Sequence, residues 1–172
     1  MLAYAEACRS LERAGVPYVI IGVFGINLYA ERAGTVLTTA DCDLLLPPDA
    51  EALSKALECL KGLGYAFEAG GEPFLADSPG ILPDVVRARA NIVAYRPGAQ
   101  LDLALEIAGC DFPSLWKRHR RFRVEGGILR VAPLKDLIRS KELAGRPKDK
   151  LFLETYREAL SKMLGRSRRR PR

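Results

Sequence analysis

The stretch Thr38-Thr39-Ala40-Asp41-Cys42-Asp43-Leu44-Leu45-Leu46 decides how this chain is read. Its apolar run is stopped by Pro47-Pro48, which predicts a strand over 41–46. Side chains alternate along a strand, so Asp41 and Asp43 share one face while Cys42 turns towards the core. Two adjacent carboxylates repel each other. Burying them unpaired is costly, so they call for a cation or a shared proton. An oxygen-rich pair suits Mg²⁺, a hard ion that takes a few protein oxygens and keeps water and phosphate as its other ligands. The competing reading is two aspartates at a solvated strand end, since D-x-D alone is a common pattern.

Working outward, the segment Leu101-Asp-Leu-Ala-Leu-Glu-Ile107 supplies a third acid. Strands are expected at 91–96 and 100–107, joined into a hairpin by Pro97-Gly98. Alternation groups Asp102 with Ala104 and Glu106. If this strand neighbours the first, Asp102 completes a three-carboxylate site of the kind that supports two-metal phosphoryl transfer. Glu106 competes for the role, and Asp102 is preferred because it lies nearer the turn.

The rest of the chain frames these strands. Residues 2–14 form an amphipathic helix with Leu2, Ala5, Cys8 and Leu11 on one face, ended by Gly15. Pro17 to Gly22 reads as a buried strand, followed by a helix over 23–32. Further helices are expected at 49–62, 111–120, 134–144 and 148–163. A strand is expected at 65–69, and a hairpin from Phe122 to Val131 around Gly126-Gly127. The fold class is α/β (α+β): one domain over 1–164, with a mixed β-sheet flanked by helices and closed by C-terminal helices. No G-x-G-x-x-G follows the first strand, so a dinucleotide site has little support. In Leu134 to Lys150, the residues Leu134, Leu137, Ile138 and Leu143 give a packed helix face. Lys141, Arg146 and Lys148 are placed to reach a polyphosphate, the alternative being a surface helix with a polar loop.

Composition narrows the classes. The 172 residues are 48% hydrophobic and 28% charged, ordinary values for a globular domain. No apolar run is long enough for a transmembrane helix, and no basic segment followed by an apolar core opens the chain, so a cytoplasmic protein is expected. Cys8, Cys42, Cys59 and Cys110 form no C-x-x-C pair and His119 is the single histidine, which argues for reduced thiols rather than a zinc site. The net charge of +6 is uneven. Five arginines stand in Gly165–Arg172, a stretch expected to be a disordered tail, and the remainder carries +1. A second basic cluster comprises Lys117, Arg118, Arg120, Arg121 and Arg123, which suits phosphates.

Taken together, the strand ending in Gly22, the helix, Asp41-Cys42-Asp43 and the later single Asp102 resemble the minimal nucleotidyltransferases of the DNA polymerase β superfamily, including the antitoxin-associated type. The closing Lys141…Arg146-Pro147-Lys148-Asp149 is similar to a segment that recurs in that group. The resemblance covers roughly residues 15–160. It implies a polymerase β-like fold and Mg²⁺ (or Mn²⁺) on Asp41, Asp43 and Asp102. It further implies a nucleoside triphosphate on the turn at Gly22-Val23 and the helix N-terminus behind it. The reaction implied is transfer of a nucleoside monophosphate to a hydroxyl, with pyrophosphate leaving. Two positions depart from the family pattern. Val23 stands where a second Gly or Ser is usual, and Leu37 where many relatives carry an arginine, for which Arg32 is the candidate substitute. The acceptor stays open between RNA, a protein hydroxyl and a small molecule such as an aminoglycoside. Two further readings remain: a non-catalytic nucleotide- or partner-binding member, as in a toxin–antitoxin pair, and a nucleic-acid-binding module using the basic clusters.

Overall fold

A computed structural model describes the chain except residues 33, 35, 36, 38, 40, 76–78 and 169–172, and except the side chains of 32, 79 and 166–168. Helix α1 (Leu2–Arg13) buries Ala5, Ala7, Cys8 and Leu11 at helical spacing. Leu2, expected on that face, sits in the first turn and is exposed. Strand β1 (Val19–Ile21) is buried throughout and runs straight into α2 (Gly22–Arg32). Strand β2 (Cys42–Leu45) leads to α3 (Ala50–Gly62), whose N-cap Asp49 accepts the backbone N–H of Ala52 at 2.8 Å.

Next come β3 (Ala66–Ala69), the short β4 (Glu72–Pro73), a 3-10 turn (Pro79–Ile81) and α4 (Leu82–Ala88). Neither β4 nor α4 was expected; both are too short to carry a periodic signal. The hairpin about Pro97-Gly98 is present as β5 (Ile92–Arg96) and β6 (Ala99–Ala104). Strand β6 stops three residues before the expected end, which leaves Glu106 outside it and exposed. Helix α5 (Phe112–Arg118), capped by Asp111, precedes the second hairpin, β7 (Arg120–Val124) and β8 (Gly127–Val131). Helix α6 (Leu134–Ala144) ends at Gly145 in the left-handed conformation. It buries Leu134, Leu137 and Ile138, but Leu143 is largely exposed, one turn past the packed stripe.

The single closing helix expected over 148–163 is two helices, α7 (Pro147–Thr155) and α8 (Arg157–Arg168), with Tyr156 between them. No glycine or proline marks the break. Beyond the break, Leu160 and Met163 are buried, and α8 packs against α2. Helix α8 continues through Arg168, so the first four residues of the expected tail are helical; 169–172 lie outside the described residues.

One eight-stranded mixed sheet runs in the order β4-β3-β5-β6-β2-β1-β8-β7. The β1–β8 and β2–β6 contacts are parallel and the others antiparallel. On one face α1 packs with α3, and on the other α2 packs with α6. Cys42 is turned to the α1 side, where it neighbours Cys8, and Asp43 to the α2 side. Alternation in β2 thus separates core from chemistry within two residues. All described helices are too short or too polar to cross a membrane.

Candidate functional site: an acidic cleft beneath the first residue of α2

The centre of the site is Asp43. Across β1–β2 it pairs with Ile21, and across β2–β6 it pairs with Asp102. Register partners in adjacent strands share a face and lie about 4.8 Å apart along the hydrogen-bonding direction. Asp41 stands one residue before β2, on the side of Asp43 by alternation. The chain therefore brings the two ends of its sequence signal, D-x-D and Asp102, onto neighbouring strands at the centre of the sheet.

Gly22 shapes the cleft. It has φ +66°, which side-chain-bearing residues rarely adopt, and a Cβ placed on it would lie 1.8 Å from Oδ2 of Asp43. Expected as a close-approach point for phosphate, this glycine is required first by the carboxylate itself. Val23, at the start of α2, is half-buried and packs against the core.

The outer carboxylates each have a hydrogen-bond donor. Thr39 Oγ1 donates to Oδ1 of Asp41 at 2.6 Å, and Gln100 Nε2 donates to Oδ1 of Asp102 at 2.9 Å. No donor reaches Asp43 among the described residues. Burial first, and then the charges of Asp41 and Asp102, push its carboxyl up to about 6, against the opposing pull of Lys141 and Lys148. This is the electrostatic signature of a site short of positive charge. The three carboxylates do not close into a cage: among the described residues no group of three or more His, Cys, Asp or Glu side chains is gathered to hold a metal. The donor set, hard anionic oxygen around a half-buried unpaired carboxylate, fits Mg²⁺ or Mn²⁺.

The cationic side comes from α6 and α7. Lys141 donates to Oδ1 of Asp149 at 2.9 Å, and Arg146 Nε donates to Oδ2 at 2.6 Å. Asp149 is fully buried at the start of α7, and its burial would raise its pKa, yet the hydrogen bonds from Arg146 and Lys141 hold it below the usual carboxylate range. Asp149 thus fixes both cations at the rim of the cleft. Lys148 is exposed and close enough to act on Asp43. Of the residues expected to bind triphosphate, Gly22, Lys141 and Lys148 are brought to Asp43, and Arg146 joins through Asp149. Arg32 closes α2, and its side chain lies outside the described residues.

Sequence reasoning missed the roles of Thr39, Gln100 and Asp149. The last carried a signal: Arg146 and Asp149 are three apart around Pro147, a helix start that favours an acid. Burial pushes the Cys42 thiol well above its usual value, and that of Cys8 up to about 12, so neither is a nucleophile. No protein-family model matches the chain, and no curated protein sequence matches it.

Proposed function

We propose that this protein is a nucleotidyltransferase of the cytoplasm, moving a nucleoside monophosphate from a nucleoside triphosphate to an acceptor hydroxyl. The observation that carries the reading is Asp43. It is a half-buried carboxylate over a glycine, level with Asp102, without a hydrogen-bond donor, and flanked by Lys141 and Lys148. Four free cysteines agree with a reducing compartment.

Asp41, Asp43 and Asp102 are the residues to hold Mg²⁺ (or Mn²⁺), which when bound neutralises phosphate charge and lowers the pKa of an attacking hydroxyl. The chain's own residues do the positioning. Gly22 opens the floor of the cleft, and the first N–H groups of α2 face the phosphates. Lys148 and Lys141 offset charge on the leaving pyrophosphate, with Lys141 held in place by Asp149. Phosphoryl transfer asks mainly for such positioning and charge neutralisation.

The test is calorimetry with Mg²⁺ and each of the four nucleoside triphosphates, on wild type and on Asp43→Asn. Saturable Mg²⁺-dependent binding, lost in the variant, is expected; absence of binding to every triphosphate overturns the proposal. Val23 in the first turn of α2, where the family pattern has a small residue, favours a second reading, a nucleotide- or partner-binding protein such as a toxin–antitoxin component. Mg²⁺-dependent triphosphate binding with no pyrophosphate release in the presence of RNA, protein or small-molecule acceptors distinguishes it.

A further inference from the structure

The sheet ends at β7 in a row of cations. From Phe112 to Val124 there is no acidic residue, and Lys117, Arg118, Arg120, Arg121 and Arg123 fall within it. Arg118 is committed to Asp136 at 2.6 Å and to Ser114. Lys117, Arg120, Arg121 and Arg123 are exposed and have no ion-pair or hydrogen-bond partner among the described residues. By contrast, Arg87 pairs with Asp84, Arg96 with Glu6, Arg130 with Glu12 and Arg157 with Glu154. Charged residues also blunt sheet edges against aggregation. Four unpaired cations around one five-residue edge strand are a concentrated positive field.

Register relates this edge to the cleft. Arg120 pairs with Val131, Val131 with Ile20, and Ile20 with Leu44, the residue after Asp43. Arg120 therefore lies within one residue of the level of Asp43, three strand spacings away, or about 14 Å. The face is set by packing and not by that register path, whose last member, Leu44, lies on the opposite side of β2 from Asp43. Phe122 packs edge-on against Tyr29 of α2, and Arg120 shares its side of β7 by alternation. Asp43 is on the same α2 side. At 3.4 Å per nucleotide of stacked strand, 14 Å is the length of about four nucleotides.

We infer that the β7 edge binds the phosphodiester backbone of a single nucleic-acid strand, placing its terminal hydroxyl at the acidic cleft. The acceptor of the proposed transfer is then a strand end. That last step rests on the transferase reading; the binding itself does not. Arg120 contacts the phosphates nearest the cleft, and Lys117, Arg121 and Arg123 those that follow around the edge. The cluster reads charge and spacing rather than sequence.

The experiment is fluorescence anisotropy of a labelled twelve-nucleotide RNA, and of DNA of the same sequence, across a salt series without nucleoside triphosphate. Wild type is compared with Arg120→Ala/Arg121→Ala/Arg123→Ala, with the milder Lys117→Ala/Arg120→Ala, and with Asp43→Asn. The triple variant should bind at least tenfold more weakly, and the slope of log affinity against log salt should fall by about 2, near 0.7 per lost phosphate contact. The double variant, with thermal melting unchanged, should show an intermediate loss. Asp43→Asn should bind as tightly as wild type or tighter, so a failed transferase reading leaves this result intact. RNA bound better than DNA identifies the 2′-hydroxyl as part of the recognition, and equal binding identifies the backbone alone; both sustain the inference. No binding at low salt, an unchanged slope in both arginine variants, or equal binding of polyglutamate overturns it.

Discussion

Asp43 and Asp149 are both withdrawn from solvent in the same half of the molecule, and their surroundings drive them in opposite directions. Asp149 receives Lys141 and Arg146 and is held below the usual carboxylate range despite its burial. Asp43 receives no donor, faces two further carboxylates, and is pushed up to about 6. The first arrangement is electrostatically closed within the chain. The second is open, and stabilising it requires something from outside. Burial does not tell structural acids from functional ones; what separates them is whether the chain supplies the counter-charge.

The largest expected effect breaks the closed site. Asp149→Ala leaves Lys141, only 11% exposed at its side chain, without its partner. The loss should be about 3–5 kcal/mol of stability, because removing one member of a buried pair strands the other. Urea unfolding measures it, and a loss below 1 kcal/mol would show that Lys141 relaxes into solvent. Gly22→Ala should come next, at roughly 2–4 kcal/mol, combining a strained backbone with a Cβ driven into Asp43. The double variant Gly22→Ala/Asp43→Ala should recover part of that loss. Strict additivity of the two would remove the claim that Asp43 sets the glycine requirement.

Asp43→Asn should instead stabilise the metal-free protein at pH 7, by about 2 kcal/mol, while abolishing transfer. The pH dependence follows from the direction of the shift. The folded pKa of Asp43, about 6, lies above its unfolded value, so folding favours the protonated form. Its contribution to stability is fully present below the unfolded pKa and is lost as pH rises through 6. Asp149 has the opposite sign: its contribution is present above the unfolded carboxylate pKa and lost as pH falls through its depressed folded value. Paired unfolding curves between about pH 4 and 7.5, a range that covers the Asp43 window and stops above that of Asp149, should therefore show the Asp43→Asn advantage fading towards acid while the Asp149 pair still holds. The smallest effect is the sharpest test of openness. Excess Mg²⁺ should raise the melting midpoint of wild type by a few degrees, as expected for about 1–2 kcal/mol of linkage, and leave Asp43→Asn unmoved. Equal shifts in both proteins would locate the ion elsewhere.

Much of this was legible before any coordinates. The apolar runs and turn signals placed seven of the eight described strands and most of the helices, because buried strands and long amphipathic helices carry strong periodic signals. Alternation put Asp41 and Asp43 on one side of β2 and Cys42 on the other. What failed were features without periodicity: the two-residue β4, the seven-residue α4, and the turn at Tyr156, which breaks a helix that the local sequence would continue.

By itself, then, the sequence determined the mixed α/β class, the acids that could share a strand face, and the clustering of cations in 117–123. Those are properties of residues a few positions apart, where backbone geometry leaves little freedom. Only the tertiary structure decided that Asp102 stands beside Asp43, that Gly22 lies under its carboxyl, and that Asp149 rather than a phosphate holds Lys141. Each of these joins segments distant along the chain. Strand order, register and desolvation settle such pairings together, and none of the three is encoded in any short stretch.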